Sequence, residues 1–437
     1  MIKVTRKEKR EKLKEINFFE EFNKIKNHFF RDFNERLKRV KDNRHQSYIE
    51  YTPDILLFST LMKNVTSIES MTQMTTKFNT DECINNVAKV LKCEGLEDLP
   101  HHDTINNFLK KLKSEEIEKI RSYMIKELLK KRCLERYRLL DKYWTIAVDA
   151  TGIVSFKDRH CEHCLKREYK NKETGEVERT LYFHYVLEAK LVVGDMVFSI
   201  DTEFIENEKN YQKQDCEIEA FKRLAKRLKK NYKRLPICIL GDSLYAVDPI
   251  FTLCKENRWK YIFTFKEGRT KSLFGEFEEL KNLESNTDEK DCIWVNEIEY
   301  NENKVNVLEA NLIEKKKERK FTFITNISIT KKNAERILFA GRSRWKIENQ
   351  GFNNQKNITN NIEHLCSKDY NAMKNHYLLV QVADIFRQLF ERGYKLIRNL
   401  KASIKEISSR LLESFSRDPL TPEDILNISK PIQVRNL

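Results

Sequence analysis

The sequence predicts an α/β domain, a mixed sheet with flanking helices, preceded by an all-helical domain. Three observations carry this expectation. Up to about residue 140 the apolar residues recur at helical spacing, and no strand-like run interrupts them. From Tyr143 onward, short apolar runs alternate with amphipathic helical patterns. Two of those runs end in aspartate, Trp144–Val148 at Asp149 and Pro236–Leu240 at Asp242, and a late helical pattern carries Glu348.

In the first part, Ile55–Phe58 with Leu61 and Met62 mark one apolar helix face. Val87, Val90 and Leu91 mark a second, and Ile105, Phe108, Leu109 and Leu112 a third. Short helices, polar turns and a basic first segment from Met1 suit a DNA-binding domain, and equally any small helical domain. After the Trp144 run, Leu181–Ala189 and Met196–Ile200 read as strands around the turn Val193-Gly194-Asp195. Cys216–Leu235 is a basic amphipathic helix with Ile218, Phe221, Leu224 and Leu228 on one side. The strand ending at Asp242 is followed by a helix, Val247–Asn257, and a strand, Lys260–Phe265. Residues 268–318 look like a β-rich insertion, with strands near Cys292–Glu299 and Val305–Ile313. Phe321–Thr325 returns to strand, and a helix is expected from near Lys331 to about Asn357. This is the element order of the ribonuclease H-like fold, in which acids after the first and fourth strands meet at one sheet edge. The expected division is 1–140 as a helical DNA-binding domain, 141–395 as the α/β domain and 396–437 as a C-terminal helical tail.

Composition narrows the partners. A formal charge of +15 and a sequence pI near 9.1 point to a polyanion such as nucleic acid, although a lysine-rich source genome gives the same bias. No run is long and apolar enough for a membrane helix; Tyr377–Phe390 comes nearest and is broken by Gln381, Asp384, Arg387 and Gln388. Ten scattered cysteines suit a reducing cytoplasm.

Asp149, Asp242 and Glu348 fall where such a fold brings three acids together. Each has a plain alternative: a strand-end turn for the aspartates, and for Glu348 an i,i+4 ion pair with Arg344 on a solvated helix face. Phosphodiester cleavage and strand transfer give the three a joint purpose. Two hard cations roughly 4 Å apart activate the attacking oxygen and neutralise the leaving one. Mg²⁺, with Mn²⁺ as substitute, needs only one or two carboxylates beside its waters. On the helix, Arg344 and Glu348 share a face, while Trp345 and Ile347 point toward the core.

Ala147-Val148-Asp149-Ala150-Thr151-Gly152, Gly241-Asp242-Ser243 and Arg344-Trp345-Lys346-Ile347-Glu348-Asn349 together resemble the DDE transposases of bacterial insertion sequences. The resemblance is to the subgroup with a Tyr-x2-Arg-x3-Glu-x6-Lys signature, and it covers most of the chain from about 100 to 395. It implies a ribonuclease H-like catalytic domain, a β-rich insertion before the last catalytic helix, and cut-and-paste transposition from inverted-repeat ends. Asp149, Asp242 and Glu348 are then the catalytic metal ligands, and Arg344 and Lys356 contact DNA. The implied partners are double-stranded DNA, as transposon ends and target, and a second copy of the chain on that DNA. The implied location is the bacterial nucleoid. Two positions depart from the signature: Gly341 stands where the tyrosine is expected, and Lys356 lies eight residues after Glu348 instead of seven, with Gln355 in the expected slot. Glu363 is the next acid along the chain able to replace Glu348.

Cys161-Glu162-His163-Cys164 has the spacing of half a zinc site. His184 and Cys216 are candidates for the other half, and a loop with a stray thiol pair is the alternative. Two further readings of the whole chain stand beside the transposase: an inactive descendant that only binds DNA, and a nuclease of the same fold.

Overall fold

The computed structural model describes residues 16–430 and 432, apart from 210, 269, 285, 288–291 and 315–316. Residues 1–15, the basic start of the expected helical domain, therefore lie outside the described residues. The chain forms two compact units, residues 135–352 and residues 1–134 together with 353–437. Residues 353–395 and the C-terminal helices thus group with the N-terminal helices, where the sequence suggested an extension of the α/β domain and a separate tail.

In the helical unit, polar side chains set the helix starts. Asn17, Ser70, Thr80, Asp369 and Ser403 each accept a hydrogen bond from a first-turn amide, and Thr421 forms a capping box with Asp424. Tyr370–Gln388 packs against Pro53–Val65, His102–Lys111 and Ser114–Leu129. Phe386 meets the rings of Phe22, Phe30 and Phe33 with centroids 5.6, 5.2 and 4.8 Å away. The polar residues that interrupt this apolar helix serve each other: buried Asp384 accepts from Arg387, from Gln388 at 2.8 Å and from Gln355 at 3.0 Å.

Lys26 lies fully buried in this unit, its Nζ donating to Asn34 Oδ1 at 2.8 Å. Burial, with Lys92 nearby, lowers its pKa from 10.5 to about 7. The unfolded chain then binds the extra proton between those values, so stability rises with pH across the window and is lost as pH falls toward 7. Urea midpoints at about pH 7.5 and 9.5 should therefore differ more for the native chain than for Lys26→Met. Equal differences would show that Lys26 stays charged when folded.

The α/β unit is organised around one sheet. Its strands are β1 (Trp144–Phe156), β2 (Leu165–Lys170), β3 (Val177–Val193), β4 (Met196–Ile205), β5 (Ile237–Gly241) and β6 (Lys260–Thr264), followed by β7 (Asn286–Thr287), β8 (Cys292–Tyr300), β9 (Asn303–Glu314) and β10 (Lys317–Thr325). Its helices are α1 (Glu217–Asn231), α2 (Asp248–Asn257), α3 (Lys271–Glu284) and α4 (Ala334–Ser343). The order across the sheet is β2-β3-β1-β5-β6-β10-β9-β8-β7, with β4 also paired to β3. β3 runs antiparallel to β1 and β4 antiparallel to β3, while β5 and β6 continue parallel to β1 on its other side. This arrangement is consistent with the expected ribonuclease H-like fold. The β-rich insertion adds to the same sheet, because β10 returns antiparallel against β6.

Two expectations change here. β1 does not stop at Asp149; it continues to Phe156 because long β3 pairs with it as far as Tyr182. The helix foreseen from Lys331 to Asn357 is α-helical only over Ala334–Ser343, then π-helical over Ile347–Phe352 and Gln355–Thr359. Ile347 is buried as expected, but Trp345 is 52% exposed.

Gly341 explains its own departure from the signature. A Cβ built there would come within 2.7–2.8 Å of the Phe323 ring, which fills the space a tyrosine would need. Gly341→Ala should cost about 1–3 kcal/mol of stability through overpacking. A thermal melt unchanged by Gly341→Ala would show that Phe323 moves aside freely.

Candidate active site

The register of β1 and β5 places the two aspartates. Ala147 pairs with Leu240 in a parallel ladder, so Asp149, two residues further on β1, lies level with Asp242, the residue just after β5 ends. Neighbouring strands are about 4.8 Å apart, which sets the scale of their separation. Local hydrogen bonds fix both side chains: Asp149 Oδ1 accepts from Ala150 N at 3.0 Å, and Asp242 Oδ1 accepts from Leu244 N at 2.8 Å. The turn role considered for Asp242 is thus real and leaves its second oxygen out of that bond.

Glu348 stands on the first π-helical turn after α4. Arg344 Nη1 donates to Glu348 Oε1 at 2.7 Å and lies 3.7 Å from Asp149 Oδ2. Arg344 is only 8% exposed, whereas the Glu348 side chain is 43% exposed, so a buried guanidinium holds a carboxylate that still faces solvent. Burial pushes the Asp149 carboxyl up to about 7; Arg344 opposes the shift, while Glu348, Glu217 and Asp242 reinforce it. The three acids therefore share one electrostatic neighbourhood. Among the described residues they do not all bring oxygens within 4.8 Å of one another.

Glu217 is the acid that sequence reasoning missed. It is the first residue of α1, and the Tyr245 hydroxyl donates to its Oε1 at 2.6 Å. Burial raises the Glu217 carboxyl, with Asp242 adding to the effect, and Tyr245 is itself fully buried. In sequence, Glu217 looks like an ordinary acid in the first turn of a basic helix, and no strand end points to it. Gly241 permits the packing, because a Cβ there would sit 2.8 Å from the Tyr245 ring.

Asp242 and Arg344 also line a cleft of about 680 Å³ with Ser243, Lys266, Arg319, Lys320, Arg342 and Trp345. Five cations outnumber the three acids of its wall, Asp242, Glu267 and Glu314, and with the exposed indole they suit a phosphate backbone. Lys356 is in the helical unit, where its Nζ pairs with Glu363 Oε1 at 2.7 Å. Gln355 is fully buried beside Gln381 and Asp384. With π-helical backbone on both sides of this stretch, counting seven or eight residues from Glu348 no longer sets an angle. Cys161 and Cys164 lie after β1 and meet His184 of β3; exposed Cys216 is not in that group.

The family model described as Transposase DDE domain matches residues 141–383, more than half of the chain. The chain belongs to the transposase DDE domain family. Among curated proteins, no match was found. DDE transposases act on DNA and generally use divalent metal ions. The donor set of this transposase fits such an ion: Asp149, Asp242 and Glu348 offer only hard oxygens, and Asp149 is already destabilised as a free carboxylate by burial and, to a lesser degree, by the acids beside it. No helix of the described residues is long and apolar enough to cross a membrane.

Proposed function

We propose that this transposase binds the inverted-repeat ends of a bacterial insertion sequence, cleaves the DNA there and joins the freed ends to a target. Asp149, Asp242 and Glu348 are the proposed ligands of two Mg²⁺ ions, for which Mn²⁺ can substitute. The observation that carries the reading is the parallel register that sets Asp149 level with Asp242, with Arg344 tying Glu348 to the same point. When bound, such ions activate the attacking oxygen and neutralise the leaving one.

The chain's own residues do the rest. Asp149 presents its oxygens from strand β1 and Asp242 from the turn that follows β5, with Oδ1 of each held by a backbone amide. Arg344 orients Glu348 and offers the rest of its guanidinium fork to a phosphate near the scissile bond. Lys266, Arg319, Lys320 and Arg342 line the cleft along which the backbone would run. Lys356 is proposed as a further phosphate contact from the helical unit, where Lys77 and Lys405 line the same hollow. The N-terminal helices are proposed to read the repeat ends. A second copy is proposed to complete the complex on DNA in the cytoplasm, at the nucleoid.

The test is a reaction of purified protein with linear DNA carrying the element's own ends, a supercoiled target and Mg²⁺. Joined products dependent on the ends and the cation support strand transfer. End cleavage with no joining would leave a nuclease, and specific binding with no cleavage an inactive descendant.

A further inference from the structure

Outside the acidic centre, the α/β unit holds a second group of metal-binding side chains. Cys161 and Cys164 come from the turn that follows β1, and His184 from β3, where it pairs in register with Val154. Both cysteines are free thiols. Their sulfurs lie 3.7 Å apart, and His184 Nε2 lies 3.5 Å from Cys161 Sγ and 3.6 Å from Cys164 Sγ. A tetrahedral zinc with Zn–S near 2.3 Å and Zn–N near 2.0–2.1 Å requires edges of about 3.8 Å between sulfurs and about 3.5–3.6 Å from sulfur to nitrogen. The three measured edges match one face of that tetrahedron.

The surrounding backbone is arranged to hold that face. Cys161 N donates to Cys164 Sγ at 3.4 Å, and Cys164 N donates to Cys161 O at 3.3 Å, which closes the Cys-x2-Cys turn on itself. Arg159 reaches the carbonyls of Cys161 and Glu162, both at 3.2 Å. Buried Asn207 donates through Nδ2 to Cys164 O at 2.8 Å and through its backbone N to His163 O at 3.3 Å. Its Oδ1 accepts from Asp215 N at 3.1 Å, two residues before Glu217. Outer partners that orient the ligands in this way are typical of built metal sites.

We propose that Cys161, Cys164 and His184 bind one zinc ion, with solvent as the fourth ligand, and that this ion fastens the loop after β1 to β3. No fourth histidine, cysteine or acid of the described residues joins the group. The neighbouring His163 is turned away, its Nδ1 lying 3.1 Å from Asn207 O. The site is separate from the acidic centre: Val154 is five residues along β1 from Asp149, roughly 16 Å at about 3.3 Å per residue. Zinc there has a structural role, holding the strand that carries Asp149 and, through Asn207 and Asp215, the approach to Glu217.

The test uses the untagged full chain, expressed with added zinc under reducing conditions and passed over a chelating resin. About one zinc per chain by mass spectrometry is expected. Cobalt(II) in its place should give the intense visible bands and the sulfur-to-metal charge transfer of a tetrahedral thiolate site. Cys161→Ser and His184→Asn should each lower the zinc content at least about fivefold under the same wash, whereas Asp149→Ala should leave it unchanged. A native chain without zinc after supplementation overturns the proposal whatever the variants do. So does zinc that persists in Cys161→Ser or disappears in Asp149→Ala, since the ion would then sit elsewhere. If zinc is present, strong chelation should lower the melting temperature and open the 157–164 loop to protease; a melt and digest unmoved by chelation would remove the structural role.

Discussion

Glu348→Ala, Asp149→Ala and Asp242→Ala should each lower end cleavage by at least about a thousandfold while leaving binding to the transposon ends nearly unchanged. Each substitution removes oxygens from the proposed metal-binding set and few contacts from the proposed DNA surface. A double replacement should be no worse than a single one, because the three act as a unit. Cleavage gels and filter binding on the same preparations separate the two effects. Substantial cleavage by Glu348→Ala would pass the role to another acid. By sequence the next candidate is Glu363, but it pairs with Lys356 in the helical unit. Glu217 is the stronger replacement, being half-buried and within electrostatic reach of both aspartates.

The second large effect belongs to Arg344. Its guanidinium serves Glu348 at 2.7 Å and Asp149 at 3.7 Å from a buried position, so Arg344→Ala leaves two acids facing each other without their cation. Cleavage should fall by about a hundredfold or more, and the salt dependence of DNA binding should flatten by about one unit of slope. Arg344→Lys should recover the slope but not the rate, since a point charge cannot hold a carboxylate and a phosphate as a planar fork does. Rates and affinities at two salt concentrations decide this. An Arg344→Lys protein with the native rate would reduce the arginine to a counter-charge. Lys356→Ala is the contrasting case: it should weaken binding and flatten its slope by about one unit without a matching loss of rate. Native binding and slope would make Lys356 ordinary surface charge held by Glu363.

How far the sequence could be read depended on the range of the signal. The apolar runs at Trp144–Val148 and Pro236–Leu240 are local, so Asp149 and Asp242 could be placed from them and the parallel register then brings them level. Where β1 ends is a tertiary matter, decided by its long partner β3, so the apolar run gave out five residues past its start while the strand continued to Phe156. Periodicity assumes one kind of helix, and the π-helical turns over 347–352 and 355–359 break that assumption at Glu348 itself. The helix Tyr370–Gln388 looked like part of the α/β domain, because nothing local records that its partners are helices near residues 53 and 102. The Cys161-x2-Cys164 spacing was visible with His184 and Cys216 as candidate partners, but only the β-sheet register chooses His184 between them, and Glu217 came to the acids through a buried tyrosine.

The central claim is that Asp149, Asp242 and Glu348 jointly hold divalent cations at the end of β5. Crystals of the transposase with its end DNA, grown with Mn²⁺, test it most directly through anomalous scattering. The account predicts two peaks about 4 Å apart with oxygens of all three acids as ligands. Peaks elsewhere, or any two of the three carboxylates more than about 10 Å apart on bound DNA, would contradict it.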